Sequence, residues 1–519
     1  MSERTQVIII GAGISGLSAA KWLRESNIDI IVLEARNRVG GRTFTKKDAS
    51  VGYVDLGGSY IGPSQNHIFR LTRELGINNY KLDETEHVVY YTKGKLYRYF
   101  ADSPVIPFWN PIVKLDLLNF ARTVDKMGEE IPADAPWKAP RAEEWDTMTY
   151  HEFVDKICYT KQVRAIAKVF LELALTSSQY EASLLWALWY IKLCHGIVKI
   201  ISSTNGGQER KFIGGSQQIS ERIAARLGDS VRLNSPVATI HQLADGVMVK
   251  TLNGDIYRAN YIIMAIPPML QMKIHYDPPL PPIRNQMIQR CPMGSIMKAI
   301  LYYRTPFWRA KGFCGTALID TDEEHPIAGT FDDTKPDGSY PAIVGFVPTD
   351  CVRNLATRTK EERKQIFAKC YADVFGLKEF LEPIHYEEYN WMAEQYSGGC
   401  YTAMFPPGFL TRYGKVIREP VGRMYFAGTE TAITWSGYME GAIQAGERAA
   451  REVLHSMGKL RKEDIWRTEP PAKDVVDIPI KPTWWQRNLP SVPGLYRLIG
   501  LSMFLGLATS IILKCKHHF

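Results

Sequence analysis

The sequence has few cysteines and little that is typical of a secreted protein. Its eight cysteines, among 519 residues, form no Cys-x-x-Cys pair. Scattered thiols of this kind are typical of a reducing compartment, and they argue against a disulfide framework or a zinc site. The apolar run Val7–Ile10 leads directly into glycines and is too short for the core of a secretory signal peptide. We therefore expect no metal centre and a body that remains in the cytosol.

The sequence also lacks internal repeats and any long basic run interleaved with aromatic residues. Lys and Arg number 63 against 55 Asp and Glu, a formal net charge of +8. This weak surplus of basic residues is not clustered as it is in nucleic-acid-binding proteins, so we expect no nucleic-acid partner. The chain exceeds the ~250 to 300 residues at which one hydrophobic core stops growing, so at least two domains are expected.

The N-terminal pattern predicts a βαβ unit of a doubly wound nucleotide-binding domain. Residues 7–10 and 28–33 have the composition of buried parallel strands, and residues 17–24 that of the helix between them. Further strands are predicted far downstream, at residues 246–251, 256–266 and 424–427. The nucleotide domain is therefore predicted to be discontinuous.

The predicted class is α/β (α+β overall), with three parts. Segments 1–89, 206–285 and 391–455 form the nucleotide domain. The stretches 90–205 and 286–390, which we interpret as helix-rich, form an inserted substrate domain. Residues 456–519 form a linker and a C-terminal helix at about 495–513.

The C-terminal helix has the properties of a membrane anchor. Residues 498–513 carry no charge and would span about 24 Å as a helix, a little short of the ~30 Å hydrocarbon core. Arg497 and Lys514 flank this run and can reach the headgroup region, where Lys516 can also meet anionic lipid. The alternative is a terminal core helix, but the position of the run near the C-terminus favours a tail anchor.

A glycine motif follows the first strand. Gly11, Gly13 and Gly16 form G-x-G-x-x-G before a helix, which lets backbone N–H groups and the helix N-terminus approach a pyrophosphate. Glu34 closes the second strand, where its carboxylate can accept hydrogen bonds from ribose hydroxyls. The alternative is a glycine-rich turn that only packs helix on strand. These four residues do not decide between FAD and NAD.

Longer segments resemble the flavin amine oxidase superfamily. They are EARNRVGGRT from residue 34, DLGGSY from residue 55, YFAGTET from residue 425 and WSGYMEGA from residue 435. The resemblance implies that FAD is the cofactor and that the GGR turn and its arginine contact it. The further cofactor residues that it implies are Arg36, Gly41, Arg42, Gly58, Tyr60, Val237, Gly428, Thr429, Glu430 and Met439.

Together with these segments, SGGCY at residues 397–401 is similar to monoamine oxidases, and the similarity covers nearly the whole chain. On its spacing alone, Cys400 reads as a free thiol; the resemblance implies a thioether from Cys400 to FAD. Tyr401 and Tyr438 match the family's aromatic cage around the amine. Lys298 matches a lysine that holds a water near the flavin, with Trp391 beside it. The catalytic residues that the resemblance implies are Lys298, Tyr401 and Tyr438.

The residues implied to line the substrate cavity depart from the family pattern at one position. Ile201 is similar to the residue that B-type members have between two cavities, where A-type members have Phe. Its partner position, Ile in A-type and Tyr in B-type, is Gly329 here, so we expect a wide waist and broad substrate acceptance. The remaining implied wall residues are Leu173, Ala174, Gln208, Phe346, Tyr401 and Tyr438. Met404 stands where an aromatic residue is usual.

The resemblance implies oxidative deamination of arylalkyl monoamines to aldehydes, with O2 accepting the electrons as H2O2. It also implies a homodimer tail-anchored in the mitochondrial outer membrane. One alternative is a polyamine or L-amino-acid oxidase on the same fold, which would usually lack the cysteine link and the anchor. Another is a membrane-anchored flavoprotein without turnover, which would be expected to lose the cage or the lysine. An NAD-dependent dehydrogenase would leave the segments from residues 425 and 435 unexplained.

Overall fold

The computed structural model describes residues 2–100, 110–481 and 483–516. Residues 101–109 of the predicted substrate domain, and residues 482 and 517–519 of the predicted tail, lie outside the described residues.

The predicted parallel nucleotide sheet is confirmed. It has five strands, all parallel, in the order Val231–Arg232, Ile30–Leu33, Val7–Ile10, Tyr261–Met264 and Met424–Phe426. Val7–Ile10 and Ile30–Leu33 are buried throughout and Tyr261–Met264 is buried except at Tyr261, as expected for Val- and Ile-rich strands covered on both faces. Because its strands come from three distant parts of the chain, the sheet is discontinuous, as predicted.

Two helices from opposite ends of the sequence pack against this sheet. They are Ile14–Glu25, which begins earlier than the predicted residue 17, and Met439–Ser456, which begins where predicted. Their closest approach is at Gly446, where a β carbon would lie 2.0 Å from the carbonyl oxygen of Ser15. Only glycine allows these two backbones to come so near.

One strand prediction was wrong. Residues 256–266 form two strands in different sheets, because the backbone N–H groups of Asn260 and Tyr261 both donate to the carbonyl of Gln6 and turn the chain there. The first of these two strands, Ile256–Ala259, belongs with the predicted strand 246–251 to a separate five-stranded sheet. The strand order of that sheet is Ser2–Arg4, Ile256–Ala259, Gly246–Thr251, Val237–Leu243 and His275–Asp277.

The expectation of a helix-rich stretch at 286–390 was also wrong, because most of a seven-stranded sheet comes from it. The order of this sheet is His385–Asn390, Ile296–Tyr302, Ala342–Pro348, Gly329–Asp332, Phe313–Ile319, His87–Thr92 and Lys95–Phe100. The pairing is antiparallel except between Phe313–Ile319 and His87–Thr92. Two small antiparallel pairs are Thr45–Asp48 with Gly52–Asp55, and Asn79–Lys81 with Arg210–Phe212.

The remaining helices surround these sheets. Between residues 110 and 201 the structure is helical, as predicted, with a shared apolar core: Pro111–Glu129, Ala142–Thr147, Tyr150–Ile157, Lys161–Ala174, Leu184–Leu193 and Ile197–Ile201. Elsewhere the helices are Asn66–Glu74, Gln218–Leu227, Pro282–Ile288, Phe307–Ala310, Thr349–Leu355, Lys360–Phe375, Phe409–Tyr413 and Trp484–Asn488. The predicted limits at 90 and 286 fall inside a strand and a helix, so the domain division stays a prediction.

The tail ends in the helix Val492–Lys516, which includes the predicted 495–513. It begins earlier than predicted, and the Ser491 hydroxyl accepts the N–H of Gly494 at 3.3 Å in its first turn. Its stretch Val492–Ser510 is long and apolar enough to cross a membrane and is almost wholly exposed. A terminal core helix would be buried, so this exposure favours the anchor.

Candidate functional site

One cavity of about 1450 Å³ brings the predicted cofactor and amine residues together. Its cofactor end is lined by Gly11, Gly13, Glu34, Arg36, Gly41, Arg42, Gly58, Tyr60, Val237, Cys400, Gly428, Thr429 and Met439. Its amine end is lined by Leu173, Ala174, Ile201, Gln208, Lys298, Gly329, Phe346, Tyr401 and Tyr438. This volume can hold a dinucleotide and a small substrate at once.

Three predicted cofactor residues, Gly16, Trp391 and Glu430, are not among the lining residues. A β carbon at Gly16 would lie 2.0 Å from the carbonyl oxygen of Gly11, so this glycine serves the turn itself. The Trp391 indole N–H donates to the carbonyl of Leu56 at 2.9 Å. The carboxylate of Glu430 is occupied by Arg42. Gly16 and Glu430 thus contact the lining residues Gly11 and Arg42, and Trp391 contacts Leu56, which precedes the lining residue Gly57.

The glycine turn forms a cradle with space above it. A β carbon at Gly13 would meet nothing within 4 Å, and one at Gly41 would meet only Gly13, at 3.4 Å. Gly13 is also the N-cap of Ile14–Glu25 and has no side chain to cover the helix N-terminus. The first N–H groups of that helix can therefore bind an anion such as a pyrophosphate. This cradle fits FAD.

Glu34 is held rigidly at the end of its strand. Its two carboxylate oxygens accept the backbone N–H of Ala12 at 2.8 Å and of Arg36 at 3.0 Å, and the side chain is almost fully buried. The Arg36 guanidinium lies 3.6 Å from the same carboxylate and donates to the Ser397 hydroxyl at 2.9 Å. A carboxylate fixed in this way is suited to accept hydrogen bonds from ribose hydroxyls.

Arg42 and Glu430 form a buried bidentate ion pair next to the cavity. The nitrogen–oxygen distances are 2.5 and 3.2 Å, and Arg42 also donates to the carbonyl of Tyr401 at 2.8 Å. Burial opposes ionisation of Glu430, but the charge of Arg42 outweighs it and holds the pKa of Glu430 below its ordinary value. Arg42 of the GGR turn is thus bonded to the SGGCY segment through Tyr401 and to the YFAGTET segment through Glu430.

Cys400 lies in a turn that only glycine can make on its N-terminal side. Gly399 has φ +149°, and a β carbon there would lie 2.2 Å from the carbonyl oxygen of Gly294. The N–H of Cys400 donates to that same carbonyl at 2.9 Å. Burial raises the pKa of the Cys400 thiol to about 12. Cys400 is one of the residues that line the cavity.

Lys298 is buried, and its ammonium group is fully engaged. Its Nζ donates to the carbonyls of Asp55 at 3.0 Å and Gly57 at 2.7 Å, and to the Ser59 hydroxyl at 3.1 Å. Burial, with the nearby charge of Lys211, lowers the pKa of Lys298 to about 8. An ammonium group has three donors, so holding a water requires exchange of one bond. The longest of the three bonds is the one to the Ser59 hydroxyl.

Tyr401 and Tyr438 face the cavity as neutral phenols. Burial raises the pKa of both well above the ordinary value. The ring of Tyr438 packs edge-on against Trp435, with centroids 4.8 Å apart, and near Tyr190 at 6.3 Å. The ring of Tyr438 is thereby held in place at the cavity wall, and a tyrosine ring has an electron-rich face that attracts an amine.

The waist of the amine end is formed by two strands and two helices. Gly329 lies directly opposite Phe346 on the neighbouring strand. A β carbon on Gly329 would lie 3.1 Å from Leu173 Cδ1, so Leu173 borders the space that a larger residue would fill. Ile201 ends the helix Ile197–Ile201 and is 59% exposed, at the mouth of the cavity.

Sequence reasoning missed the residues that form the mouth. These include Arg122, Asp125, Glu129 and His195 from the helical region, and Ile480, Lys481, Thr483 and Arg487 from the tail. The tail residues were interpreted only as a linker. No local pattern could have assigned them to the cavity, because only tertiary structure brings them there.

Comparison with known proteins identifies the family. A sequence profile described as flavin containing amine oxidoreductase matches residues 14–454. The chain is 57% identical to amine oxidase [flavin-containing] B of Homo sapiens, over 97% of this chain and 96% of that protein. It is 54% identical to amine oxidase [flavin-containing] of Danio rerio, over 98% and 97%.

Solved structures agree. Cyclohexylamine oxidase from Brevibacterium oxydans superposes with a TM-score of 0.83 at 32% identity, covering 88% of this chain and 99% of that one. Putrescine oxidase bound to putrescine gives 0.83 at 30% identity, covering 88% and 100%. The predicted fold is therefore confirmed. The chain belongs to the flavin containing amine oxidoreductases and, within them, to the monoamine oxidases, which deaminate amines oxidatively with FAD.

Proposed function

We propose that the protein holds FAD covalently through Cys400 and oxidises arylalkyl monoamines to aldehydes, with release of ammonia or an amine. The observation that supports this proposal is that Cys400, the glycines of the cradle, Tyr401 and Tyr438 all line one continuous cavity. The chemistry that FAD would supply when bound is a two-electron oxidation of the amine at its α-carbon, with O2 as the final acceptor giving H2O2. Water would then hydrolyse the imine to the aldehyde and ammonia or an amine.

The residues of the chain bind the amine, orient it and exclude water from it. Tyr401 and Tyr438 confine the amine between ring faces, so that its α C–H bond points to the cofactor end. Neither phenol serves as a base, because burial keeps both protonated. The Lys298 amino group supplies a hydrogen-bond donor beside the reacting centre. If it exchanged its bond to Ser59 for one to water, it would hold that water there. No acid-base triad is required.

The wall residues set substrate range. Gly329 removes a side chain at the waist, next to Leu173. We therefore infer broad acceptance of arylalkylamines, with a ranking that follows neither subtype of the family. Ile201 and Gln208 complete this wall from the mouth side.

The long apolar helix Val492–Lys516 supports a membrane anchor, and the location and assembly proposed next rest on the resemblance to monoamine oxidases. We infer a single-pass tail anchor in the mitochondrial outer membrane, with the catalytic body in the cytosol and a homodimer as the assembled form. The division into a discontinuous FAD domain and an inserted substrate domain is part of the same proposal. The five-stranded parallel sheet and the seven-stranded sheet, which both contribute residues to the cavity wall, support it.

Acid precipitation of the purified protein tests the covalent link. Absorbance spectra of pellet and supernatant should find the flavin in the pellet for the wild type and for Cys291→Ala, and in the supernatant for Cys400→Ala. Cys291 is the matched control, because its thiol is also buried and burial raises its pKa to about 12. Flavin in the wild-type supernatant would leave a non-covalent amine oxidase, and absence of flavin would overturn the proposal.

A further inference from the structure

The segment before the membrane helix runs along the body of the protein. We call residues 469–481 the strap. Glu469 accepts from Arg70 at 2.9 Å, and the N–H of Ala472 donates to Asn66 at 3.0 Å. Asp474 pairs with Arg73. Beyond these contacts the strap reaches the mouth of the cavity, where Ile480 and Lys481 line its wall.

At the mouth the strap supplies the counter-charge of a buried lysine. Lys199 lies on the short helix Ile197–Ile201 and is only 4% exposed. Its Nζ donates to the Asp477 carboxylate, to the Ile478 carbonyl at 3.3 Å and to two oxygens of Asn205, each at 2.9 Å. Asp477 is the partner that forms an ion pair with Lys199 among the described residues. A buried ammonium group without such a partner is strongly unfavourable.

A second set of bonds joins the strap to the loop that follows this helix. The Asn205 side chain donates to the Ile478 carbonyl at 2.8 Å and accepts the Ile478 N–H at 3.1 Å. Asn205 has φ +55°, a conformation that asparagine tolerates better than most residues. Its own N–H donates to the Glu209 carboxylate at 2.6 Å. The loop is thereby fixed from both sides.

Two cavity-wall residues flank this anchored loop. Ile201 directly follows Ile200 at the end of the lysine's helix, and Gln208 lies between Gly207 and Glu209. The N–H of Gly207 donates to the carbonyl of Lys199 at 2.8 Å, which closes the loop onto the helix. Ile201 is therefore two residues from Lys199, and Gln208 is three residues from Asn205 and next to a residue bonded to Lys199.

We propose that Asp477 is a positioning residue for substrate selection: through Lys199 and Asn205 it holds Ile201 and Gln208 in place, so that the membrane-proximal strap sets which amines fit the cavity. This inference rests on the proposed function of Ile201 and Gln208 as cavity walls. The inference adds that the placement of Ile201 and Gln208 depends on the strap, which belongs to none of the sheets and precedes the membrane helix.

The test compares Asp477→Asn with Asp474→Asn in the full-length holoenzyme. Asp474 is the matched control, because it also lies on the strap and forms an ion pair with the body, but its partner Arg73, on the helix Asn66–Glu74, does not line the cavity. The substrates are benzylamine, which is short, and 4-phenylbutylamine, which extends toward the waist. Relative to wild type, we expect kcat/KM for the long amine over that for the short one to fall about three- to tenfold in Asp477→Asn. It should stay within about twofold in Asp474→Asn.

Hydrogen exchange of peptides spanning residues 197–209 gives a readout that does not depend on activity. Exchange should accelerate in Asp477→Asn and remain at the wild-type rate in Asp474→Asn. Ile478→Pro removes the backbone donor to Asn205 and keeps the ion pair. This variant should also lower the selectivity ratio and accelerate exchange of residues 197–209, but by less than Asp477→Asn does. It replaces Asp477→Asn in the test if that variant does not fold.

The outcomes distinguish failure of the positioning role of Asp477 from failure of the proposed amine oxidation. A selectivity ratio that is the same in Asp477→Asn and Asp474→Asn overturns the positioning role, whether or not exchange changes. An altered ratio with unaltered exchange also overturns it, because the loop would not have moved. A wild-type protein that oxidises neither amine would instead contradict the proposed function.

Discussion

The two ends of the cavity bind by different physical means. At the cofactor end, glycines, a helix N-terminus and the clamped Glu34 carboxylate present main-chain dipoles and fixed charge. At the amine end the wall is mostly rings and aliphatic side chains, with Lys298 as its buried charge among the wall residues named above. The first surface suits a charged dinucleotide, and the second suits a neutral amine from which water is excluded. Arg42 and Glu430 join the two ends.

Breaking that junction should have the largest effect. Arg42→Ala leaves the Glu430 carboxylate buried without its partner, so we expect the free energy of unfolding to fall by about 3–5 kcal/mol. Urea unfolding of the holoprotein measures this loss. Arg73→Ala removes an exposed pair with Asp474 and should cost only about 0–1 kcal/mol. Equal losses in the two variants would show that the Arg42–Glu430 pair is not what joins the ends.

The second prediction concerns pH and the dry amine end. The neutral amine is the reactive form, so kcat/KM should rise about tenfold per pH unit below the pKa of the substrate. Lys298, with its pKa lowered to about 8, loses its charge in the same range. Two substituted benzylamines of different pKa distinguish the groups. An inflection that follows the substrate supports this assignment, one fixed near pH 8 points to Lys298, and a flat profile contradicts both.

The third prediction concerns the ring faces. Tyr438→Leu should lower kcat/KM for benzylamine about tenfold, because it removes the face that confines the amine. Tyr438→Phe keeps the ring and should stay within about threefold of wild type. Stopped-flow flavin reduction measures both. Similar losses in the two variants would mean that the hydroxyl, not the ring, is what matters.

The smallest expected effect is at the waist. Gly329→Tyr places a ring beside Leu173 and should change the ratio of kcat/KM between short and long arylalkylamines by about three- to tenfold. Gly329→Ala is the control, because its added β carbon needs Leu173 to move by only a few tenths of an ångström. A substrate ranking that Gly329→Tyr leaves unchanged would contradict the proposed role of this position.

The cofactor end could be predicted from sequence because its signals are local. The strand Val7–Ile10, the glycine turn and Glu34 lie within one short stretch and have a fixed order along the chain. The tyrosines and Cys400 were found by resemblance, since one cysteine or tyrosine has no pattern of its own. The roles of these residues stay predictions.

Other features could not be predicted, because they join distant segments through charges. Arg42 with Glu430, and Lys199 with Asp477, pair residues hundreds of positions apart, and neither partner is marked by periodicity. The stretch 286–390 was misjudged for a related reason. Fully buried strands such as Ile296–Tyr302 have no alternation that separates them from a buried helix.

The discontinuous parallel sheet has a consequence for synthesis. Val7–Ile10 can pair with Ile30–Leu33 early, but Met424–Phe426 leaves the ribosome about 400 residues later and completes the opposite edge. At ~5–20 residues per second this delay is roughly 20 to 80 s. During that time the apolar N-terminal strands have no finished sheet to join. Because Gly428, Thr429 and Met439 of the cofactor end are synthesised later still, we expect the flavin site to be complete only near the end of translation.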